Sequence, residues 1–197
     1  FAAAVGPPAP EGRYTYKLIK GKKEYEGFVD VGYDQAYPHN KEVRVTQQKT
    51  VSELYEMLSR MAYVSEAATE LRDTSRERAE LFKEKDKLAK QLREFADEID
   101  GFHGTLMVTD EVQGISGQKK LREKVVSLYA AISGYGGLPT EGQLARLDVF
   151  RIEIAERNEE FVKLTADKLE KLNKKLVKKD QAEIQLLTLE EFEKRGD

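Results

Sequence analysis

Cysteine and tryptophan are both missing from this 197-residue chain. Without cysteine there are no disulfides, no thiolate metal ligands and no thiol nucleophile. The compartment stays open on that ground, because many periplasmic proteins also lack cysteine. Histidine is nearly missing: only His39 and His103 occur. A metal site of the common nitrogen–sulfur type needs three or four ligands, and neither residue has a second histidine at ligand spacing. His39 falls in a turn and His103 at a glycine-flanked helix end. No apolar run approaches the ~18–20 residues of a membrane helix. Neither sign of charge dominates, with 33 Lys and Arg against 36 Asp and Glu. The near balance gives no electrostatic ground for nucleic acid or an anionic membrane as partner. The opening "FAAAVGPPAP" has neither the basic region nor the apolar stretch of a signal peptide. It also lacks an initiator Met, so Phe1 is expected to be an internal point of a longer protein.

What is present is charge and helical period. Charged residues make up 35% and apolar residues 40%, a mixture that reads as helix-rich with much solvated helix face. The length suits one sizeable domain, or a domain with a small appendage. Residues 1–49 read as a β-hairpin and linker. Tyr14, Tyr16 and Leu18 alternate with polar residues, Gly21 supplies the turn, and Tyr25, Val29 and Val31 continue the period of two. Two strands alone are at best marginally stable. Either the hairpin leans on the helices or it is the last piece of a sandwich, and the lack of other early strands favours the second. Val43 and Val45 can add one short strand.

Residues 50–180 are expected to form a four-helix bundle. Thr50 and Glu53 make a T-x-x-E capping box before an apolar-periodic run. A second run, Leu88, Leu92, Phe95, Ile99 and Phe102, has strict a/d spacing. One unbroken helix through both would be about 78 Å long, so a reversal is expected within residues 82–87. Gly101 and Gly104 are expected to end the second helix, and residues 105–117 to connect, with 106–108 tucked against the bundle. Leu121, Val125, Leu128 and Ile132 mark a third helix over residues 118–133. Gly134, or the pair Gly136 and Gly137, is expected to stop it in the left-handed conformation, with Pro139 preventing an early restart. Thr140 and Gln143 then cap a fourth helix, striped by Leu144, Leu147, Phe150, Ile154, Phe161, Leu164, Leu169, Leu172 and Leu176. Residues 181–197 form a separate tail: a possible strand at 182–187, which can pair with the hairpin, and a short helix capped by Thr188 and Glu191. The fold class is therefore mainly α, an up-down four-helix bundle with an N-terminal β-hairpin and a short strand and helix in the tail.

Catalytic chemistry is hard to find. A glycosidase needs two carboxylates, and Asp97, Glu98 and Asp100 cluster, as do Glu153, Glu156, Glu159 and Glu160. Among 36 acidic residues such clusters arise by chance and read as solvated faces. "GISGQKK" at residues 114–120 lacks the G-x-x-x-x-G-K-[ST] spacing of a phosphate loop and reads as loop plus N-cap. The lysines Lys163, Lys168, Lys171, Lys174, Lys175, Lys178 and Lys179 favour a helix C-terminus and have no interleaved aromatics. The a/d stripe can serve a partner helix, but an intramolecular bundle accounts for it more simply. Tyr14, Tyr16 and Tyr25 can line a sugar-binding face, although aromatics in strands more often pack.

Two stretches carry a resemblance. "GPPAPEGRYTYKLIKGKKEYEGFVDV" resembles the final hairpin of the immunoglobulin-like domain in large bacterial proteins built on Asp-box (BNR, sortilin-like) β-propellers. Pro10, Gly12, Tyr14, Tyr16 and Leu18 match its strand, with Tyr16 in place of the usual Val. "GISGQKKLREKVVSLYAAISGYGGLPTEGQLARL" is similar to the helical C-terminal region of the same proteins, through Ser133, Gly134, Tyr135, Gly137, Pro139 and Thr140. The linker departs from the family pattern, with "GYDQAYPHNKEVR" where Asp-Pro-Arg is usual. The tail after Leu176 has no counterpart. Such proteins are often labelled glycosyl hydrolases, and that activity would sit on the propeller. No S-x-D-x-G-x-T-W Asp-box occurs here, so the resemblance carries over no catalytic, cofactor or metal residue. It implies an exported parent, periplasmic or secreted. It also implies that the chain's partner is the upstream propeller of that parent or an unidentified protein. The expected function is a non-catalytic structural or interaction module. The alternatives are a helical adaptor self-associating through its leucine faces and an enzyme using Asp97 and Asp100 or nearby Glu residues.

Overall fold

The computed structural model describes residues 6–32, 40–108 and 119–195. Within them the chain forms β1 (Gly12–Lys20), β2 (Lys23–Val31), α1 (Lys41–Glu80), α2 (Lys87–Leu106), α3 (Leu121–Ser133), α4 (Glu141–Val177) and α5 (Leu189–Arg195). It is a mainly helical bundle with an N-terminal antiparallel hairpin, as the periodicity predicts. The hairpin register is uninterrupted from Gly12↔Val31 to Lys20↔Lys23. Gly21, at φ 62°, takes the first loop position, where a two-residue II′ turn requires a positive φ. Val43 and Val45 are helical, not a further strand.

α1 starts at Lys41 rather than at Thr50. Asn40 Oδ1 accepts from the backbone N of Glu42 at 3.0 Å and of Val43 at 3.3 Å. No breaker separates this cap from residue 50, so the helix runs straight through the T-x-x-E pattern. The Thr50 hydroxyl donates back to the Thr46 carbonyl at 3.0 Å, and Glu53 turns outward to Arg151. The expected boundary between linker and bundle thus moves upstream. At its 40 residues, α1 is about 60 Å long.

The reversal falls where length demanded it, between Glu80 and Lys87. The last turn of α1 tightens, with Leu81 N donating to Arg78 O and Phe82 N to Ala79 O, both at 3.3 Å. Phe82 packs on the core, and Asp86 caps α2 by accepting from Leu88 N at 2.8 Å. Gly101 and Gly104 do not end α2, which continues to Leu106. A helical glycine costs about 1 kcal/mol. Burial of Phe102 and Leu106, at roughly 1.5–3 kcal/mol each, outweighs it. Of the expected connection, residues 109–117 lie outside the described residues, as does Gln118; Leu106 is buried as foreseen.

Cross-helix contacts set the directions. Ser65 meets His103, Arg72 meets Asp100 and Arg76 meets Asp97, so α1 and α2 are antiparallel. Gln47 near the start of α1 reaches Ile132 near the end of α3, so α3 continues the direction of α2. α4 returns alongside both: Arg151 bonds Glu53, Lys168 bonds Glu98, Lys175 bonds Gln91 and Lys179 bonds Asp86. The four expected helices therefore pack as three rods, the second rod being α2 and α3 end to end. Two separate cores result. One joins the second half of α1, α2, the second half of α4 and the tail. The other joins the first half of α1, α3 and the first half of α4.

Among the described residues the tail is not a strand and does not meet the hairpin, whose sheet has two strands. Residues 181–188 run extended along the bundle, and Ile184 and Leu187 enter the first core. Asn173 accepts from Ile184 N and donates to Ile184 O, each at 2.9 Å. Tyr63 donates to Leu187 O at 3.0 Å. The Thr188–Glu191 box forms and starts α5.

Candidate interaction surface

In the hairpin, opposed residues share a face. One face carries Tyr14 and Val29, Tyr16 and Gly27, Leu18 and Tyr25; the other carries Arg13 and Asp30, Thr15 and Phe28, Ile19 and Glu24. Salt bridges join Arg13 to Asp30 at 2.7 Å and Lys17 to Glu24 at 2.6 Å. The guanidinium of Arg13 holds the Asp30 carboxyl below the usual carboxylate range. The alternation is partial, because Phe28 and Ile19, 61% and 64% exposed, stand among the ion pairs of the second face. The first face is exposed too: Leu18 is 59%, Tyr16 54%, Tyr25 49% and Val29 49% exposed. The hairpin is attached at its root, where Gln48 Nε2 donates to Pro8 O at 2.8 Å and Lys41 sits 3.9 Å from Glu11. Tyr14, at that end, donates to Pro10 O at 2.8 Å. Gly12 opens the same strand. Among the described residues Tyr14 is half-buried and the Tyr16 ring lies over Gly27, so the tyrosines pack on their own ribbon while Tyr16 and Tyr25 stay about half exposed.

The segment from Gly134 to Thr140 is a different construction from the one expected. Gly134 has φ −77°, and among the described glycines only Gly21 has positive φ. Gln47 of α1 replaces the left-handed stop. Its Nε2 donates to Ile132 O at 2.8 Å and to Tyr135 O, satisfying carbonyls at the end of α3. Gly136 and Gly137 have close neighbours, both of them ends of side chains that can give way. A Cβ on Gly136 would lie 3.0 Å from Arg44 Nη1, and one on Gly137 would strike the Tyr135 ring. Pro139 is buried. Thr140 and Gln143 form the reciprocal box, at 2.8 and 3.3 Å. Gly134, Tyr135, Gly137, Pro139 and Thr140 are turn and cap, with no pocket chemistry.

The remaining candidates are mostly ion-paired structure. Asp97 bonds Arg76, Glu98 bonds Lys168 and Asp100 bonds Arg72; Glu159 pairs with Lys163 and Glu160 with Arg157. Glu153 and Glu156 line an open cleft of about 660 Å³ shared with Lys119, Lys120, Lys124 and Arg157. The lysine run ties α4 to its neighbours, with Lys175 on Gln91 and Lys179 on Asp86. Lys179 and the Leu88 N–H together hold the Asp86 carboxyl below its ordinary range. Leu88, Leu92, Phe95, Ile99 and Phe102 are all buried in the first core. Of the 114–120 loop, only Lys119 and Lys120 are described, and Lys120 is the N-cap of α3. His39 lies outside the described residues. His103 is buried against Ser65, with Nε2 2.7 Å from the hydroxyl. Among the described residues no three His, Asp or Glu are grouped to hold a metal ion, and no helix is long and apolar enough to cross a membrane.

Sequence reasoning missed three polar anchors, Gln47, Asn173 and the Ser65–His103 pair. The available signal was an amide or imidazole on an otherwise apolar helix face. No family model, curated protein or solved structure matches this chain.

Proposed function

We propose that this chain is a non-catalytic structural and interaction module whose hairpin docks on a further β-layer. The observation that supports it is the exposed apolar surface of β1 and β2, with Tyr16, Leu18, Tyr25 and Val29 on one face and Ile19 and Phe28 among the ion pairs of the other. Strands of nine residues span ~30 Å, and two strands present a face ~10 Å wide. Two copies stacked on this face would bury about 600 Å², below the ~1,200 Å² of a stable pair. The occupant that fits is a wider sheet. The resemblance to exported Asp-box propeller proteins supplies one, the remainder of the immunoglobulin-like layer beside the propeller. In this reading the bundle is the rigid mount.

The second reading, an adaptor self-associating through leucine faces, would need surfaces other than those stripes, which the bundle itself consumes. Light scattering over a concentration series separates the two. A monomer throughout is expected, and a tight dimer transfers support to the adaptor. Binding of a hydrophobic dye is expected to fall when Tyr16, Leu18 and Tyr25 are replaced by Thr. Hydrolysis of a glycoside by this chain would overturn the non-catalytic reading.

A further inference from the structure

The imidazole of His103 lies at the seam of α1 and α2, 7% exposed. Its Nε2 is 2.7 Å from Ser65 Oγ, and that hydroxyl is 3.1 Å from Met107 Sδ, to which it donates. A hydroxyl has one proton. With that proton on the sulfur, Nε2 carries the ring hydrogen and donates to Ser65 Oγ, leaving Nδ1 as a bare acceptor. Among the described residues Nδ1 has no partner. A second ring proton would sit on Nδ1 as a buried N–H with no acceptor, which is more costly than an idle lone pair. The charged groups that act on the ring are Arg72 of α1 and Asp100 of α2. Asp100 is already bonded to Arg72 at 2.9 Å, so its charge is shared and gives the imidazolium little relief.

We propose that the Ser65–His103–Met107 contact is an acid-sensitive latch, holding the last turn of α2 on α1 at neutral pH and opening when the imidazole is protonated. Its position gives the opening a consequence. Met107 follows α2 directly, at the gap between α2 and α3 where the second rod is broken and the two cores meet. Burial, and then Arg72, hold the His103 pKa below the ordinary 6.5, against a smaller opposing pull from Asp100. The open state therefore binds the proton more readily than the closed one. The latch is fully closed above 6.5 and weakens as pH falls from there toward the lower, closed-state value.

Hydrogen exchange on the full chain, corrected for intrinsic rates, reads the opening from about pH 8 to about pH 5. Amides of residues 62–68 and 102–107 should lose protection below pH 6.5 by up to about tenfold per pH unit, the slope of one proton. His103→Leu should keep that protection. An unchanged acid response in His103→Leu overturns the latch. Ring-proton NMR on the unaltered chain keeps the test decisive should that variant fail to fold. The chain has two histidines, and His39→Asn assigns the signals. The His103 titration must coincide with the loss of protection. A ring that titrates at 6.5 without any opening also overturns the proposal.

Discussion

The amide of Asn173 imitates a neighbouring strand, binding both backbone groups of Ile184. Asn173→Ala would leave that N–H and C=O half-buried without partners. The expected loss is about 1–3 kcal/mol, read by urea denaturation, with Ile184 the first amide to lose exchange protection. The glycines divide by backbone angle. Gly21 is left-handed, so Gly21→Ala should cost about 1 kcal/mol and loosen the hairpin turn. Gly134 is right-handed, and its added Cβ would sit 3.2 Å from Ala130 O. Gly134→Ala should therefore change stability by no more than ~0.5 kcal/mol, helix propensity offsetting the close contact. The sequence shows a glycine and cannot show its φ. A helix end held by a distant Gln47 looks, from residues 133–140 alone, like an end held by glycine.

At the scale of elements, the capping boxes explain what was legible. Thr140–Gln143 and Thr188–Glu191 both form because Pro139 and the extended strap keep the preceding chain out of a helix. Thr50–Glu53 fails because the chain before it is already helical from Asn40 onward. The pattern encodes a cap only where something else stops the helix. Thr140→Ala should cost about 1 kcal/mol. Thr50→Ala should cost less, since it removes only a bond back to Thr46 while gaining helix propensity. Paired thermal melts would show the difference. The hairpin's strands were readable because alternation needs no tertiary information. Its isolation was not, because exposure depends on what else the fold places nearby. Replacing Tyr16 and Leu18 by Thr should leave bundle stability within ~0.5 kcal/mol, as for surface positions. A larger loss would mean that the hairpin leans on the bundle.

For the whole molecule, the apolar stripes foretold most of the described core, but Leu144, expected to open the stripe of α4, is exposed, and Leu58 and Leu164 are only half-buried. They did not foretell that α3 continues α2 rather than reversing. A helix of 13 residues is about 20 Å long, too short to cover either long rod, and α2 leaves just the remaining length of α1 bare. The stripe gives each helix a face but not a neighbour, and only the lengths taken together show that two short helices must share one side. Two cores then follow, with α1 and α4 as the continuous links between them. Leu92, in the first, and Leu128, in the second, are both buried. Each Leu→Ala change should cost about 2–5 kcal/mol, but not in the same place. Leu128→Ala should weaken exchange protection across α3 and the first halves of α1 and α4, leaving α2 and Ile184 protected. Leu92→Ala should weaken α2 and release the Asn173 strap while α3 holds. If either change lowers protection evenly from Lys41 to Val177, the long helices couple the cores into one cooperative unit, and the break between α2 and α3 does not divide the molecule's stability.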